Sequence, residues 1–410
     1  MPPAHPPLAG RRVLFLQGIS TPLFYRLGKR LRRDGADVHR INICIGDLLF
    51  WPASATNFRA PFSQWSAFLV AFVENHAITD IVLFGDCRPY HRVAIARARA
   101  RGIAVHIFEE GILRPHWITM ESDAAWRAPG RLTAETLPIL STNLPSISEH
   151  RNVTGGFAQR ACWDVAFHIC NTLAGFTFPH YRRHRPGHPL VEGLGWLRRA
   201  ITKRAKRQAA VCTVQKLIAE NAAYFLLPLQ LDSDAQIRFR SSFANMGDVL
   251  EQVMMSFSRN APENHRLVVK THPLDNGLVN RDRQVAAIAE RHGLAGRVDF
   301  MDGGHLPTVI EHSRGVVVVN STVGLTALHQ KRPTFALAQP IYKLTGLTSG
   351  ANLDAFWASP QSPKAELIAS FEKLLLQASQ INGSFFNFEG IDLAIEAIVV
   401  RLQAAPVSPS

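Results

Sequence analysis

Acidic residues are the scarce class in this chain of 410 residues: 32 Asp and Glu stand against 45 Lys and Arg, a net charge of +13 with histidine neutral. That balance calls for an anionic partner, whether nucleic acid, a membrane surface or a phosphorylated substrate, and charge alone does not choose among them. Long apolar runs are missing as well. No uninterrupted stretch reaches the roughly 18–20 residues of a membrane span; "AFLVAF" and "VVVV" read as helix or strand cores. The opening "MPPAHPPLAGRR" has no apolar h-region, so no signal peptide is expected and the chain is expected to stay cytoplasmic, soluble or peripheral. Cysteine is sparse. The five (Cys44, Cys87, Cys162, Cys170, Cys212) form no CxxC pair and no zinc-spaced cluster with histidine. They are expected to be buried, reduced thiols, with no metal site. Helix-turn-helix, RNP and zinc signatures are also lacking, which sets nucleic acid aside.

What is present is an ordinary globular composition, 47% hydrophobic and 19% charged. The length favours two domains of roughly 150–200 residues each. Strand-like and helix-like stretches alternate from "RRVLFLQG" through "STPLFYRLGKRLRRDGA", "DVHRINI", "SQWSAFLVAFVENHA", "ITDIVLFGD" and "RVAIARARARG" to "IAVHIFEE". Ser20 or Thr21 can cap the first helix, Pro22 suits its first turn, and Leu23, Leu27 and Leu31 recur at helical spacing. Apolar strands alternating with helices predict a parallel sheet covered on both faces. The rhythm breaks from about 125 to 215 and resumes at "AYFLLPLQ". The expected organisation is a disordered tail (1–10), a Rossmann-like domain (11–125), a helical, basic insertion and linker (126–220), a second Rossmann-like domain (221–385), and a closing helix that crosses back, with its tail (386–410). Two such domains facing a cleft is the GT-B layout, with ligands at the carboxyl ends of the strands.

Polar residues gather at several of those strand ends. In "VVVVNSTVG" a strand delivers Asn320, Ser321 and Thr322 to a helix start followed by Gly324, an anion-site pattern that a purely structural N-cap would also produce. In "RLVVKTHP", Lys270, His272 and Pro273 close a strand; His272 could donate to a phosphate or protonate a leaving group, or be an ordinary loop histidine. In "VHIFEEGILRPHWIT", Glu109 and Glu110 end a buried strand beside Gly111. Paired carboxylates suit acid/base work or attack at a sugar carbon, and the plain alternative is a cap or a salt bridge to Arg114. Strand alternation turns at most one of the two toward a given face. "FGDCRPYHR" adds Asp86, Arg88 and His91, and "QGISTPLF" adds Gly18 and Ser20, as substrate-binding candidates or surface polarity. "PLQLDSDAQIRF" adds Gln230, Asp232, Asp234 and Arg238, though "DSD" also marks a turn.

Between Arg182 and Arg207 nine Arg or Lys face one acid, Glu192. Trp196 and Ala200, and Leu197 and Ile201, are four apart, so a helix there would set apolar groups on one side and Arg198, Arg199, Lys203, Arg204, Lys206 and Arg207 on the others, suiting the interface of an anionic membrane; a solvated connector would read the same way.

Taken together, "LFLQG", "PLFYRL", "RINICIGD", "DIVLFGDCRPYHRVAI", "FEEGILRPHWIT", "PLQLDSDAQIR", "KTHP" and "NSTVGLTAL" resemble, in this order, the capsular polysaccharide biosynthesis family of Gram-negative bacteria (KpsS/LipB type). The resemblance implies a GT-B-like, CMP-Kdo-dependent transferase with no cofactor. It would place the first β-Kdo on a lysophosphatidylglycerol acceptor at the cytoplasmic face of the inner membrane, beside other capsule biosynthesis and export proteins. It further implies that Glu109-Glu110-Gly111 supplies the catalytic carboxylate, and that His272-Pro273 and Ser321-Thr322 hold CMP. Because CMP-Kdo is itself β, retention is expected, with Glu110 as first choice of nucleophile and Glu109, Glu121 and Asp232 in reserve. Arg114, Arg88 or Lys270 would pair with the Kdo carboxylate. Two other readings stay open: transfer from CDP-glycerol or a UDP-hexose, and a non-catalytic basic adaptor for membrane or nucleic acid.

Overall fold

In the computed structural model the described residues are 8–122, 126, 130–145, 150–153, 156–183, 189–350 and 352–404. Two compact units share the chain. The first comprises Met1–Trp126, Pro145–His184 and Leu375–Ser410; the second comprises Arg127–Leu144 and Arg185–Leu374.

The first unit opens with β1 (Arg12–Phe15), α1 (Leu23–Arg33), β2 (Asp37–Asn42), α2 (Ile45–Leu49) and β3 (Thr56–Asn57). It continues with α3 (Trp65–Asn75), β4 (Asp80–Phe84), α4 (Pro89–Arg99), β5 (Ala104–Glu110) and β6 (Trp117–Glu121). Leu23, Leu27 and Leu31 of α1 are fully buried, each worth about 1.5–3 kcal/mol of transfer free energy. The expected cap is weak: Thr21 Oγ1 accepts from Leu23 N only at 3.5 Å. After α5 (Thr136–Thr142), a piece of the second unit, the chain returns to the first unit as α6 (Phe157–Leu173).

The second unit carries α7 (Pro189–Ala219), β7 (Tyr224–Pro228), α8 (Ala235–Arg240), α9 (Met246–Asn260), β8 (Arg266–Lys270), α10 (Arg281–Arg291) and β9 (Val298–Met301). Then come α11 (Leu306–Glu311), β10 (Gly315–Val318), α12 (Val323–His329), β11 (Thr334–Ala336) and α13 (Leu353–Ala358). Its five strands run parallel in the order β11-β10-β7-β8-β9. One sheet face (Phe225, Leu227, Val269, Val317) packs on α9, α10 and α13 through Val253, Phe257, Ile288 and Trp357. Near-continuous apolar strands such as "YFLLP" follow from burial on both faces. α14 (Ala365–Ser379) carries the chain back to the first unit, which β12 (Gln380–Asn382) and α15 (Phe388–Ala404) complete.

The first sheet has the order β12-β6-β5-β4-β1-β2-β3. It is not wholly parallel, as the alternation predicted: β6 pairs antiparallel with β5 and with β12. Six residues separate β5 from β6, enough for a hairpin and too few for a crossover helix. One face packs on α1 and α15, the other on α3 and α4. The cysteines depart from expectation in part: none is bonded, yet Cys162 and Cys212 are exposed.

A buried ionic cluster sits under this sheet. Arg11 donates to Asp80 Oδ1 at 2.7 Å, His106 meets the same oxygen at 2.8 Å, and Thr79 donates to Oδ2 at 2.6 Å. Burial alone would raise the Asp80 carboxyl, but His106, Thr79 and Arg11 outweigh it and hold it below its ordinary range. A depressed carboxylate stabilises the fold above its unfolded pKa of about 4 and loses that contribution as pH falls through the lower folded value. Asp80→Asn is therefore expected to cost about 3–5 kcal/mol at pH 7, because it strands a buried Arg11. Urea titrations from pH 7 to pH 3 should show the difference between wild type and variant shrinking with acid.

Candidate active site

Glu109 and Glu110 close β5, opposite Thr119 and Ile118 of β6. Alternation puts them on opposite faces, Glu110 with Phe108 and Glu109 with Ile107. Both are half-buried. Glu110 accepts from Arg160 of α6 at 2.6 Å and lies 3.2 Å from Arg114. The expected salt bridge to Arg114 thus exists, and the partner that sequence reasoning missed is Arg160, a lone arginine in a helix about fifty residues away. Glu121, a reserve carboxylate, is buried and pairs with Ile107, three positions inside the strand end at Glu110.

The turn after the pair is tightly set. A Cβ on Gly111 would lie 1.9 Å from the Trp117 carbonyl oxygen, so only glycine fits the close approach of the two backbones. Gln380 of β12 accepts from Ile112 N at 3.0 Å and Leu113 N at 3.3 Å, and donates to Thr119 Oγ1 at 3.1 Å. A residue some 270 positions along the chain holds the turn, and nothing local in the sequence signals it.

At the neighbouring strand ends the candidates separate. Arg88 donates to Gln17 Oε1 and to the Gly18 carbonyl, both at 2.9 Å, and lies 5.2 Å over the Phe84 ring. Gln17 in turn donates to Asp47 at 3.2 Å, and Asp47 pairs with buried Arg40 at 3.2 Å. Gly18 and Ser20 line a small cavity with Arg40, Asp47 and Trp51 that has room for about one water. Asp86, half-buried, accepts from the Cys87 thiol at 3.0 Å. His91 is a core histidine rather than a substrate contact. It is fully buried, its Nδ1 is 2.8 Å from the Gly85 carbonyl, and burial with the Arg88 charge pushes its pKa down to about 3.

In the second unit, β8 delivers Lys270 and the Thr271-His272-Pro273 loop. His272 Nδ1 accepts from Leu274 N at 3.0 Å, so a neutral ring carries its proton on Nε2, where it can donate. Lys270 is buried, which lowers its pKa; Asp302 opposes that shift and Arg199 adds to it. Ser321 and Thr322 are half-buried ahead of α12. Seven residues make a short helix with a small dipole, so anion affinity there rests on hydroxyls and N–H groups. The Tyr342 hydroxyl donates to the Ser321 carbonyl, and a Cβ on Gly324 would lie 2.3 Å from that hydroxyl, which fixes glycine there.

Several expected ligand residues are instead clamps. Asn320 accepts from Gln230 at 3.0 Å and donates to the Gln236 carbonyl at 2.8 Å, tying the ends of β10 and β7 to α8. Asp234 caps α8, accepting from Gln236 N at 2.9 Å. Asp232 accepts from Met246 N at 2.8 Å and pairs with Arg281, so it is bound up in structure rather than presented as a free carboxylate. Arg238 is exposed, over the Phe239 ring.

The basic segment also differs from the interfacial helix expected of it. α7 runs for 31 residues, and Arg199 points inward to Asp302 at 2.8 Å, joined by Lys206 at 2.9 Å. Arg199 is thus a half-buried ion-pair residue rather than the exposed membrane contact expected of it. Trp196, Lys203 and Arg204 are exposed, and the Arg198 side chain lies outside the described residues. Between α7 and the loop after β8 lies a cavity of about 330 Å³, lined by Arg199, Lys206, Thr271, Arg281 and Asp302. That volume is within the range of small-molecule sites. Thr271 Oγ1 and Arg281 Nε are buried there without a hydrogen-bond partner. No local sequence pattern signals this cavity, because its walls come from three separate stretches of the chain. Among the described residues no group of three or more His, Cys, Asp or Glu is placed to hold a metal ion.

Two doubly wound α/β units in one chain, with polar residues at the carboxyl ends of their parallel strands, define a GT-B-like transferase fold. Within that class the chain belongs to the capsule polysaccharide biosynthesis protein family, whose model matches residues 79–386. It is 30% identical to the capsule polysaccharide modification protein LipB of Neisseria meningitidis serogroup B, over 92% of each chain. To the capsule polysaccharide export protein KpsS of Escherichia coli it is 29% identical, over 92% of this chain and 98% of that one. Among solved structures, the β-Kdo 2,7 transferase of Thermosulfurimonas dismutans KpsC is similar with a TM-score of 0.45 and 14% identity, over 96% of this chain and 99% of that one.

Gly111→Ala is expected to force β5 and β6 apart, costing about 1–3 kcal/mol in thermal or urea unfolding.

Proposed function

We propose that the chain transfers a β-Kdo from CMP-Kdo to a lysophosphatidylglycerol or phosphatidylglycerol acceptor at the inner-membrane surface, with retention of configuration. The observation that carries this reading is Glu110, a carboxylate at a strand end held by Arg114 and Arg160, in a chain of the capsule biosynthesis family.

In this mechanism Glu110 attacks the anomeric carbon of Kdo as the bond to the CMP phosphate breaks. His272 donates its Nε2 proton to the departing phosphate, which Ser321 and Thr322 also hold. The glycosyl ester is then displaced by an acceptor hydroxyl, whose proton passes to a base, and the two inversions give retention. Arg114 or Arg88 pairs with the Kdo carboxylate. Family membership supports the sugar, and the strand-end chemistry supports the assignment of roles.

The test is incubation with CMP-Kdo and a fluorescent lysophosphatidylglycerol, with mass analysis for one added Kdo. Glu110→Gln should cut transfer by about 1,000-fold or more with the fold intact. Near wild-type transfer would move the role to Glu109. In thermal-shift titrations CMP should stabilise the protein more than CDP or UDP; the reverse order would refute the Kdo donor.

A further inference from the structure

Helix α6 has two unlike sides, and the transfer chemistry uses only one of them. Its inner side packs on α2: Gly46 N donates to Asn171 Oδ1 at 3.3 Å, and the Phe167 ring lies where a Cβ on Gly46 would sit. Arg160, near its start, holds Glu110. The outer side is apolar yet exposed: Val165 is 55% exposed, Ile169 51%, Leu173 74%, and Phe176 just beyond the helix 79%. Spacings of four, four and three set these four side chains in one stripe.

Between Val165 and Tyr181 no residue is Asp, Glu, Lys or Arg, in a chain where 19% of residues are charged. Solvated helix faces normally carry charge, and an exposed apolar patch without it marks a binding surface. Directly beyond the uncharged stretch come Arg182 and Arg183, both exposed, and exposed Arg59 stacks 5.4 Å over the Phe178 ring. The next acid after Asp164 is Glu192. An apolar stripe ending in a cationic cluster complements a layer with an apolar interior and anionic headgroups. No helix among the described residues is long and apolar enough to cross a membrane, so the fitting mode is to lie in the interface.

We propose that the outer face of α6, from Val165 to Phe176 with Arg182 and Arg183 at its end, is the surface by which the protein docks on an anionic phospholipid bilayer. On α7, Arg199 and Lys206 are already paired with Asp302 within the fold. The proposal shares with the proposed function the premise of a lipid acceptor. It is read without donor or turnover, so either can fail alone.

The experiment is co-sedimentation of the full chain with vesicles of 30% phosphatidylglycerol in phosphatidylcholine at ~150 mM salt, where charge screening is near physiological, with pure phosphatidylcholine vesicles alongside. Wild type should bind the anionic vesicles at least about 10-fold better than the neutral ones. The triple variant I169S/L173S/F176S should lose about 10-fold or more of that binding, with an unchanged circular dichroism spectrum and unfolding midpoint. R182Q/R183Q should weaken binding to anionic vesicles and make the remainder insensitive to salt. Transfer to a short-chain acceptor below its micelle concentration should persist in the triple variant. Unchanged vesicle binding by the triple variant would overturn the proposal. So would a wild-type dimer in analytical ultracentrifugation that the triple variant dissolves, since the face would then belong to a second copy.

Discussion

The turn at Gly111 is the constraint on which the first unit's candidate site depends. Without a side chain there, the backbone of β5 comes against the Trp117 carbonyl, and the hairpin closes within six residues. Closure fixes the register of β5 on β6, and register decides which face each glutamate takes. It also brings Arg114 back beside Glu110 and presents Ile112 and Leu113 N–H groups to Gln380. A single missing methyl thus orders a carboxylate, its cation and a sheet edge together.

Both units anchor their strand ends with buried polar contacts of high sequence separation. In the first, Arg11, Asp80 and His106 form one cluster, and Arg40, Asp47, Gln17 and Arg88 form another. In the second, Asn320 and Gln230 exchange hydrogen bonds between adjacent strand ends. Such groups are costly to bury unpaired and specific once paired. They leave the loops beyond them, with Ser321, His272 and the glutamates, standing on a rigid base.

These clamps also explain where the sequence stops being legible. The alternation of strands and helices was readable because burial on both sheet faces leaves long apolar runs, as in "VVVV" and "YFLLP". The antiparallel strands β6 and β12 were not, because β12 is short and β6 takes its pairing from a hairpin and a distant partner. The acidic pair and its salt bridge to Arg114 could be seen locally, whereas Arg160 and Gln380 arrive from other parts of the chain. Gln230, Asn320 and Asp232 look like ligand residues because a polar side chain at a strand end reads the same whether it meets a substrate or a neighbouring loop. His91 misleads for the opposite reason. Its sequence context is polar, but the first turn of α4 folds over Gly85 and buries it. In α7 a run of positive charge suggested a surface, and Asp302, a hundred residues away, turns Arg199 inward and pairs with Lys206 at the surface.

The return of the C-terminal segment to the first sheet gives the protein a timetable. During synthesis the strands from β1 to β6 emerge first, but the free edge of β6 must wait until Gln380, Ile381 and Asn382 leave the ribosome, about 260 residues later. Through that interval the glutamate turn has no Gln380 to hold it, and the apolar seats of α15 under α1 are vacant. The geometry of the glutamate turn therefore matures last, after the whole second unit has been made, and a nascent chain halted before residue 380 exposes an unpaired strand edge for other chains to join.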